Sequence, residues 1–334
     1  MMTGVSKNNW TNWHNKLHKD LLSNKELLPQ NTNILIAVSG GQDSMALLSL
    51  MYDMKYLHNW EIDVWHGNHN WHQKSATFAE ELKTFCAKKN INFHLDIAKS
   101  IEVSSEEKAR DWRYIQLRLT AEKIRKQRNL KSNLSIITGH TSTDNAETFF
   151  LNLARGSKYN GLGGIKRKSF LEKKFSLIRP ILIFSREDTK AICQSLSIPI
   201  WEDPTNLDLK IKRNFIRNEI IPKLEDLYPG FTSRVSVFIE TMKNYHNEQL
   251  DLSKLALLAC KEKNCINRIL FNTLSKEARA TILNLEIKEK CIKQISTKNL
   301  ISFCDDIFLK NHGTIDLPNG FRLTWNNDLI LVKD

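Results

Sequence analysis

One loop of this sequence combines two glycines, two hydroxyls and a carboxylate: Ser39, Gly40, Gly41, Gln42, Asp43 and Ser44. It follows the apolar run Ile34–Val38 and precedes a helical stretch, so it joins a predicted buried strand to a helix. Such a turn directs backbone N–H groups and a helix N-terminus at one point, which favours an anion. The alternative is a plain glycine-rich turn.

The same loop lacks the Gly-Lys-Ser/Thr ending of a Walker P-loop. No lysine therefore reaches forward over a bound phosphate. We expect the contacts to come from N–H groups, from the hydroxyls of Ser39 and Ser44, and from a metal ion that Asp43 helps to hold.

Two carboxylates follow the predicted strand Leu134–Thr138, where a helix should begin. Asp144 and Glu147 are three residues apart, so a helix places them on one face. Acidic residues in a first helical turn also stabilise the helix dipole, and this is the structural alternative to a catalytic role.

Two pairs of arginines have helical spacing. Arg110 and Arg113 are three residues apart, and Arg213 and Arg217 are four apart, so each pair offers two guanidinium groups to phosphates. The alternative is a solvated helix face. His66 lies near a second histidine, but no third ligand stands out, so we expect it to contact phosphate or base rather than zinc.

The elements that must position these side chains alternate between short β-rich runs and helical periodicity. The strand candidates are Ile34–Val38, Ile62–His66, Phe93–Ile97 and Leu134–Thr138. Ser104 and Glu107 predict a capping box that opens a long helix ending at Arg128. This alternation predicts an α/β fold with a doubly wound parallel sheet, whose ligand crevice lies beyond the carboxyl ends of the strands. His66, His140 and the 39–44 loop should converge there.

The chain is long enough for two domains. We expect a catalytic domain over residues 1–230, with an N-terminal helix at about 8–28, and a smaller, mostly helical C-terminal region over 231–334. A helix is predicted from Asn214 to Leu227. The glycine-rich segment 155–164 is predicted to be a mobile loop, and Gly313–Val332 a hairpin-like end.

Composition narrows the class of protein. The 334 residues are 41% hydrophobic and 26% charged, with no apolar run long enough for a membrane span and no apolar signal core at the start. We therefore expect a cytoplasmic protein without membrane contact. The net charge of +12 indicates a polyanionic partner. The six cysteines are scattered without a Cys-x-x-Cys pair.

Taken together, the motifs of about residues 30–230 resemble those of the tRNA(Ile)-lysidine synthetases in the PP-loop ATP pyrophosphatase superfamily. The matching segments, in chain order, are Ser39–Ser44, His66–His69, Ala109–Tyr114, Gly139–Thr148, Arg155–Ser157, Ile178–Pro180, Trp201–Asn206 and Arg213–Arg217. The resemblance implies an adenine nucleotide alpha hydrolase-like sheet, ATP as substrate, Mg²⁺, and a tRNA(Ile) with a CAU anticodon as partner. It also makes a homodimer conceivable.

The resemblance implies a two-step reaction. ATP adenylates the C2 carbonyl oxygen of the wobble cytidine with release of pyrophosphate, and the amine of free lysine then attacks C2 and displaces AMP to give lysidine. The loop and His66 would bind ATP or pyrophosphate, and Asp43 would lie near Mg²⁺. Asp144 and Glu147 would hold the lysine ammonium, whose pKa of about 10.4 keeps nearly all free lysine protonated near pH 7.

In the same scheme Arg113 would contact the α-phosphate or the base, and Arg110, Arg213 and Arg217 the tRNA or substrate. The sequence departs from the family pattern in three places. Thr141 and Thr143 stand where a His and an Asp are usual, and His72 stands where an Arg is usual. These changes leave room for a slower or degenerate enzyme.

Other functions remain open at this point. A PP-loop tRNA thiolase would need Cys-x-x-Cys pairs or a catalytic cysteine near the site, and neither is apparent. PP-loop synthetases of NAD or GMP fit the loop but leave the basic charge unexplained. A non-catalytic RNA-binding relative would keep the fold and lose turnover.

Overall fold

The computed structural model describes residues 10–71, 73–130, 134–157, 159–172, 174–201, 204–291 and 295–333. His72, Glu202 and Asp203 lie outside the described residues. The chain divides into two compact units, with the boundary between Glu240 and Thr241. The boundary predicted from sequence, at residue 230, lies slightly earlier, just before the helix in which this division falls.

The first unit alternates helices and strands, as the sequence periodicity predicts. Its elements are α1 (Asn12–Ser23), β1 (Asn33–Ala37), α2 (Gln42–His58), β2 (Glu61–Asn68), α3 (Ser75–Lys88), β3 (Asn92–Ile97), α4 (Glu106–Gln127), β4 (Leu134–Thr138), α5 (Ser142–Ala154), α6 (Tyr159–Leu162), β5 (Lys168–Leu171), β6 (Phe175–Ile178), α7 (Arg186–Ser195), α8 (Lys212–Phe215), α9 (Ile221–Leu227) and α10 (Phe231–Cys260). Helix α10 continues into the second unit.

Within the described residues, β1 to β6 form one sheet in the order β3-β2-β1-β4-β6-β5. All pairs are parallel except β5 with β6. Strand β1 is central: Ile36 lies opposite Val64 on one side and Ile137 on the other. Its apolar run is buried because helices cover both faces of a parallel sheet. The predicted doubly wound α/β fold is confirmed.

The chain order reverses beside β1, because β2 and β3 extend the sheet on one side and β4 and β6 on the other. At such a switch point the loops after neighbouring strands separate and leave a crevice at their carboxyl ends. The 39–44 loop follows β1, and His140 follows β4. The fold thus places both segments at this edge.

Three local predictions need correction. Helix α4 is capped by Ser105, whose Oγ accepts a hydrogen bond from the Lys108 N–H at 3.2 Å, because the turn Ser100–Val103 moves the helix start by one residue. The segment 155–164 contains helix α6 and is therefore not wholly a loop. The helix predicted from Asn214 is divided into α8, a π-helical turn at Ile216–Ile220, and α9, which has a proline in its first turn.

The second unit contains the end of α10 and the following elements: β7 (Lys261–Glu262), β8 (Cys265–Asn267), α11 (Arg268–Thr273), α12 (Lys276–Cys291), α13 (Thr297–Leu309), β9 (Gly313–Asp316), β10 (Arg322–Trp325) and β11 (Leu329–Lys333). In the described part of this unit the strands form an antiparallel sheet in the order β7-β8-β11-β10-β9. The predicted hairpin-like end supplies β9, β10 and β11; the pairing with β8 was not predicted. No described helix of either unit is long and apolar enough to cross a bilayer.

Candidate functional site

The 39–44 loop connects β1 to α2, with Gly41 as the N-cap of the helix. Gly40 has a φ of 92°, a left-handed conformation that favours glycine, and a Cβ there would lie 3.0 Å from the Trp201 ring. A Cβ on Gly139 would lie 3.0 Å from Cα of Ser44, so the loop after β4 packs directly against this turn. The predicted strand, turn and helix are confirmed.

The two hydroxyls of the loop hold its own backbone. Ser44 Oγ donates to the Gly41 carbonyl at 2.9 Å and accepts from the Ser39 N–H at 3.2 Å. The Gly41 N–H donates to Ser39 Oγ at 3.3 Å. These bonds fix the curvature, while the first N–H groups of α2 have no acceptor within the helix. The loop therefore presents backbone donors and a helix dipole to an anion.

Gln42 and Asp43 tie the loop to α7. Gln42 Nε2 donates to the Arg186 carbonyl at 2.8 Å and to Thr189 Oγ1 at 3.0 Å. Thr189 Oγ1 donates to Asp43 Oδ1 at 2.5 Å, and Arg186 Nη1 lies 3.5 Å from Asp43 Oδ2. The sequence prediction missed Arg186 and Thr189. The available signal was the Ser185 to Asp188 capping box, which starts α7 shortly after a parallel strand.

Burial raises the pKa of the Asp43 carboxyl, and the charge of Asp144 raises it further, against the opposing effect of Arg186. A carboxylate in this state is stabilised by an additional cation. Among the described residues, no cluster of three or more His, Cys, Asp or Glu side chains is arranged to hold a metal. Any metal at Asp43 would thus depend on substrate oxygens for its remaining ligands.

Asp144 and Glu147 form an ion-pair cluster with Arg213 and Arg217. Glu147 Oε1 lies 2.5 Å from Arg217 Nε, and Glu147 Oε2 lies 2.7 Å from Arg213 Nε and 2.8 Å from Arg217 Nη2. Asp144 Oδ1 accepts from Nη2 of both arginines at 3.2 Å. The structure thus brings together four side chains that were predicted from sequence as two separate pairs.

The two carboxylates differ within this cluster. The Glu147 side chain is fully buried, whereas that of Asp144 is 12% exposed and makes the longer contacts. Burial by itself would raise the pKa of Asp144, but the charges of Arg213 and Arg217 lower it below its usual value. Asp144 is therefore an anion near neutral pH.

Thr141 and Thr143, which replace the usual His and Asp of the family, have structural contacts. Thr141 is the N-cap of α5: its N–H and Oγ1 both donate to Asp144 Oδ2, at 2.8 and 2.9 Å. Thr143 Oγ1 accepts from the Arg186 N–H at 3.1 Å. Asp144 therefore has the structural role considered from sequence, since Oδ2 caps the helix, while Oδ1 faces the arginines. Its catalytic role remains a prediction.

Asn214 ties the helical segment that carries Arg213 and Arg217 to the residues that precede it in the chain. Its Nδ2 donates to the Thr205 carbonyl at 2.9 Å and to the Asp208 carbonyl at 3.1 Å. Arg213 lies in α8 and Arg217 in the π-helical turn that follows. Their side chains meet the same two carboxylates, as expected for residues four apart on a helical surface.

His66 lies inside β2, which is longer than the predicted strand Ile62–His66, because pairing with β3 extends it to Asn68. Its Nδ1 is 2.8 Å from the Val38 carbonyl, which only accepts, so Nδ1 carries the proton. Burial lowers the pKa of His66, and the neutral ring presents Nε2 as an acceptor. His66 therefore lies at the end of β1, as predicted. Its free Nε2 can accept a hydrogen bond but cannot donate one to a phosphate.

The arginines of α4 lie apart from the acidic cluster. Arg113 is exposed, and its Nη2 is 3.3 Å from His69 Nε2. Arg110 is also exposed, with its guanidinium 5.2 Å from the centre of the Tyr114 ring. The roles predicted for Arg110 and Arg113 toward substrate remain predictions.

Cys193 of α7 lies against the loop, which the sequence gave no reason to expect. Its Sγ donates to the Gln42 carbonyl at 3.4 Å, and its residue is 4% exposed. Burial, with the Asp43 charge in support, raises the pKa of the thiol to about 11. The thiol is therefore protonated near neutral pH and is a poor nucleophile.

Comparison with known proteins agrees with this geometry. Residues 11–224 match the model of the PP-loop domain family. The chain is 57% identical over 328 residues to the tRNA(Ile)-lysidine synthase of Prochlorococcus marinus subsp. pastoris, covering 98% of each chain. It is 38% identical over 329 residues to the tRNA(Ile)-lysidine synthase of Parasynechococcus marenigrum, covering 97% of this chain and 95% of that relative.

Among solved structures, the U34-tRNA thiolase NcsA from Methanococcus maripaludis, with its [4Fe-4S] cluster, is similar with a TM-score of 0.54. The two chains are 17% identical, and the match covers 69% of this chain and 76% of the thiolase. At this identity the likeness concerns the fold alone. On the family match and the two relatives, this chain belongs to the PP-loop family of tRNA(Ile)-lysidine synthases.

Proposed function

We propose that this protein ligates free lysine to C2 of the wobble cytidine in a tRNA(Ile) with a CAU anticodon. The observation that carries the proposal is the cluster of Asp144, Glu147, Arg213 and Arg217 at the edge of the sheet that also carries the 39–44 loop. Family membership supplies the overall reaction, and the cluster supports its second step. The net charge of +12 fits an RNA substrate.

In the first step the cytidine O2 attacks the α-phosphate of ATP, and pyrophosphate leaves. The backbone donors of the loop would hold the leaving pyrophosphate, whose charge grows as the bond breaks. Neutral His66 would accept a hydrogen bond from a hydroxyl or amino group of the nucleoside. Ser39, Ser44 and Gln42 would support this step mainly by keeping the loop in shape.

The residues present fit Mg²⁺ through one carboxylate. Asp43 would hold it, since its side chain is partly exposed beside the loop and its ion pair with Arg186 is long, at 3.5 Å. Mg²⁺ commonly binds one or two protein carboxylates together with substrate phosphates. When bound, the ion would neutralise charge on the phosphate oxygens of ATP.

In the second step the lysine ammonium releases a proton to solvent, the neutral Nε attacks C2, and AMP leaves. We assign the ammonium to Asp144 Oδ1, which is partly exposed and bound to the arginines at 3.2 Å, rather than to the fully buried Glu147. The ammonium would displace a guanidinium from these longer contacts. Because the pKa of Asp144 is lowered, it suits electrostatic binding of the ammonium better than acceptance of its proton. Glu147 would hold the arginines in place.

The competing functions are weaker on these contacts. A thiolase would need a reactive sulfur at the loop, but Cys193 is buried with its pKa raised to about 11. A non-catalytic RNA-binding relative would have no need for a buried cluster of opposite charges, which is costly to desolvate. Thr141 and Thr143 have structural contacts, so their replacement of the family residues gives no sign of degeneration.

The test is incubation of the protein with labelled lysine, ATP, Mg²⁺ and an isoleucine tRNA transcript with a CAU anticodon. We expect label in the tRNA and release of AMP that requires both lysine and this tRNA. A methionine tRNA with the same anticodon is the matched control and should stay unlabelled. Tight binding of the isoleucine tRNA without AMP release would instead identify an RNA-binding protein and refute the proposal.

A further inference from the structure

Arg179 is a buried arginine at the site to which sequence analysis gave no role. It directly follows β6, at the same edge of the sheet as the loop after β1, and it is 5% exposed. Its Nη1 donates to the Lys166 carbonyl at 2.7 Å and to Ser169 Oγ at 3.1 Å. Its Nε is also buried, and no acceptor for it exists among the described residues.

The charge of Arg179 has no acidic partner. Within the described part of the chain, Arg186, Arg213 and Arg217 each form ion pairs with carboxylates, but Arg179 and Arg110 form none. Burial lowers the pKa of Arg179, and the nearby charge of Arg110 lowers it further, while Tyr114 opposes the shift. Two like charges thus lie within electrostatic range of each other, with the Tyr114 ring beside both.

His140 connects this basic pair to the acidic cluster. Burial lowers the pKa of His140 to about 4, and the charges of Asp144, Arg179 and Arg110 all act on it. His140 is therefore within electrostatic range of both the basic pair and Asp144. On the acidic side, three carboxylates and three guanidiniums balance, so the charge of Arg110 and Arg179 is uncompensated.

A purely structural arginine in the same molecule looks different. Arg268 is 6% exposed, and its Nε, Nη1 and Nη2 all donate to backbone carbonyls. Arg179 gives only Nη1 to a backbone carbonyl, shares a side-chain hydrogen bond with Tyr114, and leaves Nε without an acceptor among the described residues. A buried guanidinium with donors left over and no counter-ion is suited to an anion supplied from outside.

We propose that Arg110 and Arg179 form a subsite for a phosphodiester group of the RNA strand beside the modified base. The backbone donors of the 39–44 loop already provide for the phosphates of ATP, and RNA carries a phosphate on either side of every base. Exposed Arg110 would meet the strand first, and Arg179 would supply a fixed second charge. This inference rests on the proposed function, because it takes RNA as the substrate.

The test compares Arg110→Gln, Arg179→Met and Arg179→Lys with the wild type. We expect Arg110→Gln and Arg179→Met to bind the isoleucine tRNA transcript about tenfold more weakly at fixed salt. The slope of log affinity against log salt should fall by about one for each lost contact. ATP affinity should stay unchanged, and Arg179→Lys should recover part of the loss, because it keeps the charge.

Lys126→Gln, an exposed change on the same helix as Arg110, is the matched control and should leave the slope nearer to wild type. If Arg179→Met does not fold, Arg110→Gln and Arg179→Lys are compared instead. Wild-type tRNA affinity and a wild-type salt slope in both Arg110→Gln and the folded Arg179 variant would overturn the subsite. A loss confined to ATP affinity would also overturn it. Failure of the proposed function would appear in the wild type itself, as absent lysine incorporation, so the two failures are distinguishable.

Discussion

Two arginine sites of this protein, one in each unit, satisfy their guanidinium groups in opposite ways. In the first unit Arg213 and Arg217 are paired with Asp144 and Glu147, so charge meets charge. In the second unit Arg268 meets no carboxylate among the described residues; its five donations go to the carbonyls of Ile307, Lys310, Asn311 and Asn326. The hydrogen-bond donors of arginine are thus paired with carboxylates in the first case and with backbone carbonyls in the second.

This difference distinguishes a group that can bind substrate from one that only stabilises the fold. Carbonyl oxygens are fixed to the backbone, so Arg268 joins the end of α13 to the segments before β9 and β11 and cannot exchange its partners. A carboxylate can exchange one cation for another, and the contacts of Asp144 at 3.2 Å are the weakest in its cluster. Exchangeable partners are what a substrate with an ammonium group needs.

Replacement of Arg268 by methionine should have the largest effect on stability. Arg268→Met removes the donor from the carbonyls of Ile307, Asn311 and Asn326, while the Lys310 carbonyl keeps Trp325 Nε1. At roughly 1–3 kcal/mol for each unsatisfied group we expect a loss of about 4 kcal/mol. Hydrogen exchange of the amides in α13, β10 and β11 measures this locally. ATP binding by the first unit should be retained.

Arg322→Gln is the control for this comparison. Its ion pair with Asp316 is exposed on both sides, at 61% and 87%, so its loss should cost well under about 1 kcal/mol. Equal protection of the second unit in both variants would show that Arg268 is not the structural centre that its contacts indicate.

The sequence predicted the helices and strands of the first unit better than it predicted which side chains contact each other. The strand run Leu134–Thr138 and the turn after β1 follow from local periodicity and glycine placement. That Arg213 would meet Glu147 depends on packing between segments 66 residues apart in the chain, which no local pattern encodes. The contacts of Arg268 with residues 39 to 58 positions away were missed for the same reason.

Glu147→Gln should have the next largest effect. The variant keeps the shape of the side chain but removes a buried charge that faces two guanidiniums, so we expect a loss of about 3 kcal/mol in unfolding free energy. Lysine incorporation should fall with it, because the arginines lose their fixed partner. Denaturant unfolding and the labelled-lysine assay measure the two effects.

The matched control is Glu219→Gln, which removes a largely exposed helical ion pair with Lys223 and should cost about 0.3–0.5 kcal/mol. If Glu147→Gln were as stable as Glu219→Gln, the buried cluster would contribute little to folding. The carboxylate-paired arginines would then differ from Arg268 in stability as well as in their partners.

Asp144→Asn should change stability less and chemistry more selectively. Asparagine keeps a capping side chain on α5, so we expect a loss of about 1 kcal/mol. Without the charge on Oδ1 the lysine substrate loses its electrostatic partner, so the lysine step should slow by about 100-fold while adenylated tRNA still forms and accumulates. Single-turnover assays with labelled ATP and labelled lysine separate the two steps.

Asp188→Asn provides the control for capping, since Asp188 accepts from the Ser185 N–H at 2.9 Å in the capping box of α7 and makes no ion pair with an arginine among the described residues. It should show a similar small loss of stability without accumulation of the intermediate. Wild-type lysine transfer by Asp144→Asn would remove Asp144 from the second step.

The smallest effect at neutral pH concerns His58, where α1 packs on α2. His58 is 3% exposed, is 3.1 Å from His18 across the two helices, and stacks on Trp60 with ring centres 4.1 Å apart. Burial, with the charge of His18 in support, lowers its pKa from 6.5 to about 4. Between these two pH values the unfolded chain therefore binds a proton that the folded protein does not bind. Stability falls as the pH drops from about 6.5 to about 4, and this group causes no further fall below that.

Denaturant unfolding at pH 7 and pH 5 measures this effect. The loss of unfolding free energy seen for the wild type should shrink in His58→Gln and persist in the exposed-site control His312→Gln. An unchanged loss in His58→Gln would place the acid sensitivity at another group.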